Sequence, residues 1–274
     1  MRNILCVTLI ALLGGCTSTS VTEKYQDKRN DIINVKDKVI EFETGNVLIG
    51  SVSRLYMSNK CLLIADHKSV DKQIHIFNKN DFSYLTSIGN FGEGPEEITV
   101  MGCLAIDEAH HQLYVSDHAK QKIFSYDMDS VMVDSLYKPQ VKTAMNETLF
   151  PSEYQYINDT LSIAVLIKPT STSTFNQFLG RWNMNTGEMI PMKYTHPDIQ
   201  KKRITFAASE KAGIYVECYT RHDLMTICSL DGELLYNIYG PDWDGGNGNK
   251  LQSFGTVMIG NDKIFRSEER RVGK

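Results

Sequence analysis

Leu62-Leu63-Ile64-Ala65-Asp66-His67 and Leu113-Tyr114-Val115-Ser116-Asp117-His118 are two renderings of one phrase. Each follows a short apolar strand and a polar turn, and the same turn falls at Asn59-Lys60, Asp107-Glu108, Asn158-Asp159, Glu210-Lys211 and Asn261-Asp262. A period of about 50 residues with strand-type alternation inside each unit is the mark of a radial β-repeat. In such an array each unit buries its faces only against its neighbours, so the chain reads as all-β.

Working outward, the pattern predicts four strands per unit. Blade one takes 51–58, 61–66, 73–78 and 84–88, and blade two takes 103–107, 112–117, 122–127 and 131–136. Blade three takes 153–157, 161–167, 177–183 and 189–192, and blade four takes 205–209, 213–220, 224–230 and 234–239. A fifth blade opens at 255–260. Asp231-Gly232 and Asn185-Thr186-Gly187 supply tight turns between third and fourth strands. No amphipathic helical segment competes with this reading. Four-stranded units around an axis make a β-propeller, and the lone strand 39–43 is placed to close the ring by pairing with the last blade. The domain therefore runs over 35–265, about four and a half blades of a ring expected to have six. Completing it would take on the order of 70 to 90 further residues.

The two ends differ from the body. Arg2 leads into the apolar run 4–13 and then Leu13-Gly14-Gly15-Cys16. That run is too short for a membrane-spanning helix and suits an export signal, residues 1–15. The small-residue pair before Cys16 resembles the lipobox of bacterial lipoproteins, which implies that Cys16 becomes the first mature residue and carries the lipid. An ordinary signal peptide with a chance cysteine is the alternative. Acyl chains gain about 0.8 kcal/mol per buried CH₂, so a multiply acylated cysteine anchors firmly. Residues 16–34 read as the lipidated end and a polar, flexible tether. At the other end, residues 266–274 match the in-frame translation of a sequencing-adapter string and are set aside from the fold.

The net charge is −4. Without Arg2 and the four basic and two acidic residues of the tail, 24 basic residues face 31 acidic ones, a net of −7. No basic stripe interrupts this acidic surface, which argues against a nucleic-acid partner. Of six cysteines, Cys6 lies in the signal and Cys16 takes the lipid, leaving Cys61, Cys103, Cys218 and Cys228 with no C-x-x-C pair for zinc or dithiol chemistry. Cys218 and Cys228 lie on successive strands, either as buried free thiols or bonded across the hairpin.

Blade one ends in Ile88-Gly89-Asn90-Phe91-Gly92-Glu93-Gly94-Pro95-Glu96-Glu97, with a degenerate echo at Tyr239-Gly240-Pro241-Asp242-Trp243. Together with the lipobox and the period, this string resembles the six-bladed, TolB-like and NHL-like β-propeller lipoproteins of the bacterial envelope. The resemblance implies a fold and a compartment and no particular reaction. Physically, Gly89, Gly92 and Gly94 are expected to allow positive φ and close backbone approach, with Pro95 holding the exit extended. A phosphate-cradling role would need a lysine and a following helix, and the string has neither.

Candidate chemistry is sparse. Asp66-His67 and Asp117-His118 occupy equivalent blade positions, where they serve either as metal or acid-base groups or as ties for loop backbone. His110-His111 is a poor chelating pair because neighbours on an extended chain point apart. Asp242 and Asp244 invite a calcium reading, but the twelfth position of that loop is Ser253 where a bidentate carboxylate is required. No G-x-S-x-G string or supported Cys-His arrangement occurs. The expectation is a membrane-anchored, extracytoplasmic module in the periplasm or on the outer membrane, binding a peptide, a glycan or an envelope protein, with no required cofactor. The rivals are a gluconolactonase-like hydrolase or lyase with a divalent metal in the channel, and an envelope sensor or scaffold.

Overall fold

The computed structural model describes residues 21–29, 31–134, 136–200, 203–248 and 255–267. Four of its sheets have four consecutive strands in simple order. Blade one is β2 (Ser53–Met57), β3 (Cys61–Asp66), β4 (Lys72–Asn78) and β5 (Tyr84–Asn90). Blade two is β6 (Met101–Asp107), β7 (Gln112–Asp117), β8 (Lys122–Asp127) and β9 (Gln140–Ala144), with a helix, α1 (Met128–Val133), between its last two strands. Blade three is β10 (Phe150–Asn158), β11 (Leu161–Pro169), β12 (Phe175–Trp182) and β13 (Met189–Pro191). Blade four is β14 (Ile204–Ser209), β15 (Ile214–Tyr219), β16 (Leu224–Ser229) and β17 (Leu234–Tyr239). β18 (Val257–Gly260) and β19 (Lys263–Arg266) form a further hairpin.

The second strands are buried on both faces, which is why their apolar residues stand side by side without strict alternation: all six residues of β3 are buried, and five of six in β7 and β15. Alternate residues serve different interfaces. Leu63 and Ala65 pack with Leu104, Leu113 and Phe124 of blade two, and Cys103, Ala105 and Tyr114 with Tyr154, Leu166 and Trp182 of blade three. Ile163 and Val165 in turn meet Tyr215 and Tyr219 of blade four. β6 lies alongside β10, and β14 alongside β18. The third and fourth strands slip register at the same place in blades one and four, Ile76/Phe77 and Ile227/Cys228, and nearer the start of the third strand in blade two, Ile123/Phe124. A bulge there increases the twist of the outer edge.

Several expectations need correction. Residues 131–136 do not form the fourth strand of blade two. The Asp127 carboxylate accepts a hydrogen bond from the Ser130 N–H at 2.7 Å and starts a helix, Val131 turns into the blade one and two core, and the fourth strand is supplied later by β9. Residues 39–43 form no strand. Phe42 instead lays its ring on Phe77 and Phe82, covering with Val47 and Ile49 the face of blade one that carries Leu62 and Ile64. Within the stretch expected to be a flexible tether, β1 (Glu23–Tyr25) adds a parallel fifth strand to β17. The Glu23 carboxylate accepts hydrogen bonds from the Asn237 amide and the Tyr239 hydroxyl, and Arg29 pairs with the buried Asp223 at 2.6 Å.

Candidate functional site

The two Asp-His phrases converge on a structural job. Asp66 ends β3 almost fully buried, and its carboxylate accepts from the Gly50 N–H (2.7 Å) and the Lys68 N–H (2.9 Å). Asp117 ends β7 and accepts from the Thr99, Val100, Ala119 and Lys120 N–H groups. Each aspartate thus ties the segment entering its blade to the turn leaving the second strand. The histidines reach the next blade. His67 Nδ1 lies 3.1 Å from the Met101 carbonyl, and His118 lies against the Pro151 carbonyl. A carbonyl only accepts, so the facing ring nitrogen carries the proton. Burial pushes both imidazoles below the ordinary histidine range and keeps them neutral.

The glycine string is a cage for a cation. Gly89 adopts φ +74°, and the chain then curls so that Lys120 Nζ, from the turn after β7, donates to the carbonyls of Gly92 (3.2 Å), Gly94 (2.7 Å) and Glu97 (2.5 Å). Thr99 Oγ1 also donates to the Gly92 carbonyl, and Glu97 Oε2 accepts the Gly94 N–H. Gly94 is not left-handed as expected; it leaves room for the Glu97 carboxylate, whose Oε2 would lie 3.0 Å from an added Cβ. Pro95 sits inside a turn closed by the Glu97 N–H on the Gly94 carbonyl, not in an extended exit. Glu93 is exposed. The loop presents carbonyls inward, the polarity opposite to that of a phosphate cradle.

The remaining candidates stay apart. His110 bonds Asp107 and His111 bonds Asp129, at 2.7 and 2.8 Å. The Asp242 N–H donates to Asp223, and Asp244 accepts from the Gly248 N–H and lies 4.0 Å from His222. Among the described residues no group of three His, Cys, Asp or Glu is placed to hold a metal. Cys218 stands opposite Met225 and Cys228 opposite Tyr215, in different core layers, so the two thiols are free and buried. Cys16 lies outside the described residues. Between innermost strands, Arg54 of blade one pairs with Glu153 of blade three at 2.7 Å, and the Gln155 amide bonds both backbone groups of Ala208.

The concave feature that the sequence did not signal is a cleft of about 520 Å³ between blades one and two. Its floor is Cys61, Leu63, Ile106 and Leu113, and α1 builds a wall with Met128 and Met132. Lys60, Glu108, His111 and Asp129 stand at the exposed mouth. The Glu108 carboxylate accepts the Asn59 N–H at 2.7 Å, which joins the equivalent turns of the two blades across the opening. No local string announces this site, because its lining comes from two hairpin turns and a helix that meet only when the blades stack.

A family model described as a 6-bladed beta-propeller, DUF5128, matches residues 17–180. The chain belongs to this family. The part that matches DUF5128 takes in blades one and two entire, and with them the lysine cage, both Asp-His ties and the cleft. No curated protein matches the sequence. Among solved structures, a chain of a nidogen/laminin complex is similar at 9% identity and a TM-score of 0.51, over 77% of this chain and 68% of that one. That likeness is one of fold. A Bacteroides fragilis protein named as exported is 14% identical with a TM-score of 0.47, over 80% of this chain. A DUF4221 member from Bacteroides vulgatus is 11% identical with a TM-score of 0.47, over 66% of this chain. The chain spans 59% and 56% of the length of these two proteins.

Proposed function

We propose that this protein is a non-catalytic binding module, exported and held to a bacterial envelope membrane by a lipid on Cys16, with its ligand site in the cleft between blades one and two. One observation carries the reading. The Asp66 and Asp117 carboxylates and His67 Nδ1, among the groups an acid-base or metal mechanism would draw on, are engaged with backbone atoms of the blade entries, the turns and the neighbouring blade. The cleft, by contrast, combines an apolar floor with polar groups at an open mouth, the usual make-up of a small-ligand site.

Ligand-observed NMR with a library of small polar-apolar molecules tests the site, with Leu85→Arg, at an exposed position of the cleft lining, as control. Hits lost in the variant support the cleft, and hits unaffected by it overturn the assignment. A stoichiometric divalent ion in the purified full chain would favour the hydrolase or lyase reading instead. For the anchor, Cys16→Ala is expected to abolish incorporation of a radiolabelled fatty acid and to release the domain from membranes. Equal labelling of wild type and variant would refute it.

A further inference from the structure

The chemistry of the cleft selects among ligands. From the lining we infer that it takes a molecule apolar at one end and cationic at the other, an alkyl- or aryl-ammonium group, whether a free amine or a peptide with a lysine beside an apolar residue. This rests on the reading of the cleft as a binding site.

Depth sets the first half of the argument. Leu63 and Leu113 are fully buried, Cys61 nearly so, and the Met128 and Met132 thioethers line the helix side. Methionine adapts to irregular apolar shapes, so the floor suits an aliphatic or aromatic group without dictating one. Charge sets the second half. Asp107, Glu108 and Asp129 line the cleft against the single ammonium of Lys60. Among the described residues Lys60 forms no ion pair, so these carboxylates are not neutralised by it. Asp107 is occupied by His110 and by backbone N–H groups inside the turn. Glu108 and Asp129 stand at the mouth with one oxygen each bonded, to the Asn59 N–H and to His111 Nδ1, which leaves the other oxygen of each to face an incoming cation. An anionic ligand would meet like charge at the mouth and would have to shed water without compensation.

The test compares phenylbutylamine with phenylbutyrate, and acetyl-leucyl-lysine amide with its leucyl-glutamate counterpart, by isothermal titration against the full chain at low and at high salt. At low salt the cationic member of at least one pair is expected to bind about tenfold tighter or more, a difference of about 1.4 kcal/mol, and the gap is expected to narrow at high salt. Glu108→Gln with Asp129→Asn, both at exposed positions, is expected to bring the two members of that pair together while leaving the circular dichroism spectrum unchanged. Preference for the peptide pair or for the amine pair identifies the source of the cation. Equal or tighter binding of the anionic members, with Leu85→Arg abolishing it, would overturn the charge assignment and leave the cleft standing. No binding by any probe would overturn both.

Discussion

At the scale of single residues, Lys120 is the least expected element of the glycine loop. Its side chain is 16% exposed and its ammonium is met by three carbonyls, with the Asp117 carboxylate 3.9 Å away. Charge-assisted bonds of this kind contribute about 1.5–3 kcal/mol each at most, less what hydration would have returned. Lys120→Met is therefore expected to cost roughly 1–3 kcal/mol, read from urea denaturation, because three half-buried carbonyls lose a charged donor at once, and Gly92 and Gly94 keep only Thr99 Oγ1 and the Glu97 N–H. Lys120→Arg is expected not to restore stability, since a planar guanidinium does not fit a cage shaped for a point charge. A Met variant as stable as the wild type would show that the loop holds its shape without the cation. Gly92 belongs to the same unit for a different reason: a Cβ there would fall 2.0 Å from Glu97 Oε2.

At the scale of elements, the His67 and His118 ties make the stacking of blades one, two and three sensitive to acid. Burial lowers both folded-state pKa values below those of the unfolded chain, so the unfolded state binds protons first as pH falls. Their contribution is complete above the unfolded histidine pKa, about 6.5, and is lost as pH drops from there toward the folded values. His110 runs the other way, raised chiefly by its bond to Asp107. The clean measurement is a difference: thermal midpoints of the wild type and of His67→Gln with His118→Gln across pH 8 to 5. The wild type is expected to lose more stability over that range, and parallel curves would show that these imidazoles do not govern acid sensitivity. The same scale explains the cleft wall. α1 interrupts the blade two pattern where Asp127 caps it, and the chain then needs a longer path to deliver β9.

At the scale of the molecule, stability is a sum of blade-to-blade interfaces. Trp182 is fully buried between blades two and three, edge-on to Tyr154 with ring centroids 5.1 Å apart. Trp182→Ala is expected to cost about 3–5 kcal/mol, by lost transfer free energy and by the cavity left behind. Hydrogen exchange is the informative readout. If the interfaces act largely separately, protection falls in β7, β11 and β12 while β16 keeps more of its own. A uniform loss would mean that the described blades unfold as one unit.

The blade rhythm was legible in the chain because burial on both faces leaves a mark that needs no tertiary information. Stretches such as 61–65 and 113–115 are apolar throughout, and polar turns punctuate the chain at a fixed period. The aspartates and histidines that follow those stretches were legible as positions and not as roles, since their partners Thr99, Met101 and Pro151 are set by how one blade lies on the next. Local pattern misjudged 131–136, where apolar residues fit a strand or a short helix equally well and the Asp127 cap decided the outcome. It also missed β1, whose three residues gain strand pairing only from the edge that β17 offers. The cleft and the lysine cage lay beyond the sequence altogether. Cys61, Glu108 and Met132 in the one, and the glycine string and Lys120 in the other, are far apart along the chain, and only the stacking and turning of blades brings them within reach.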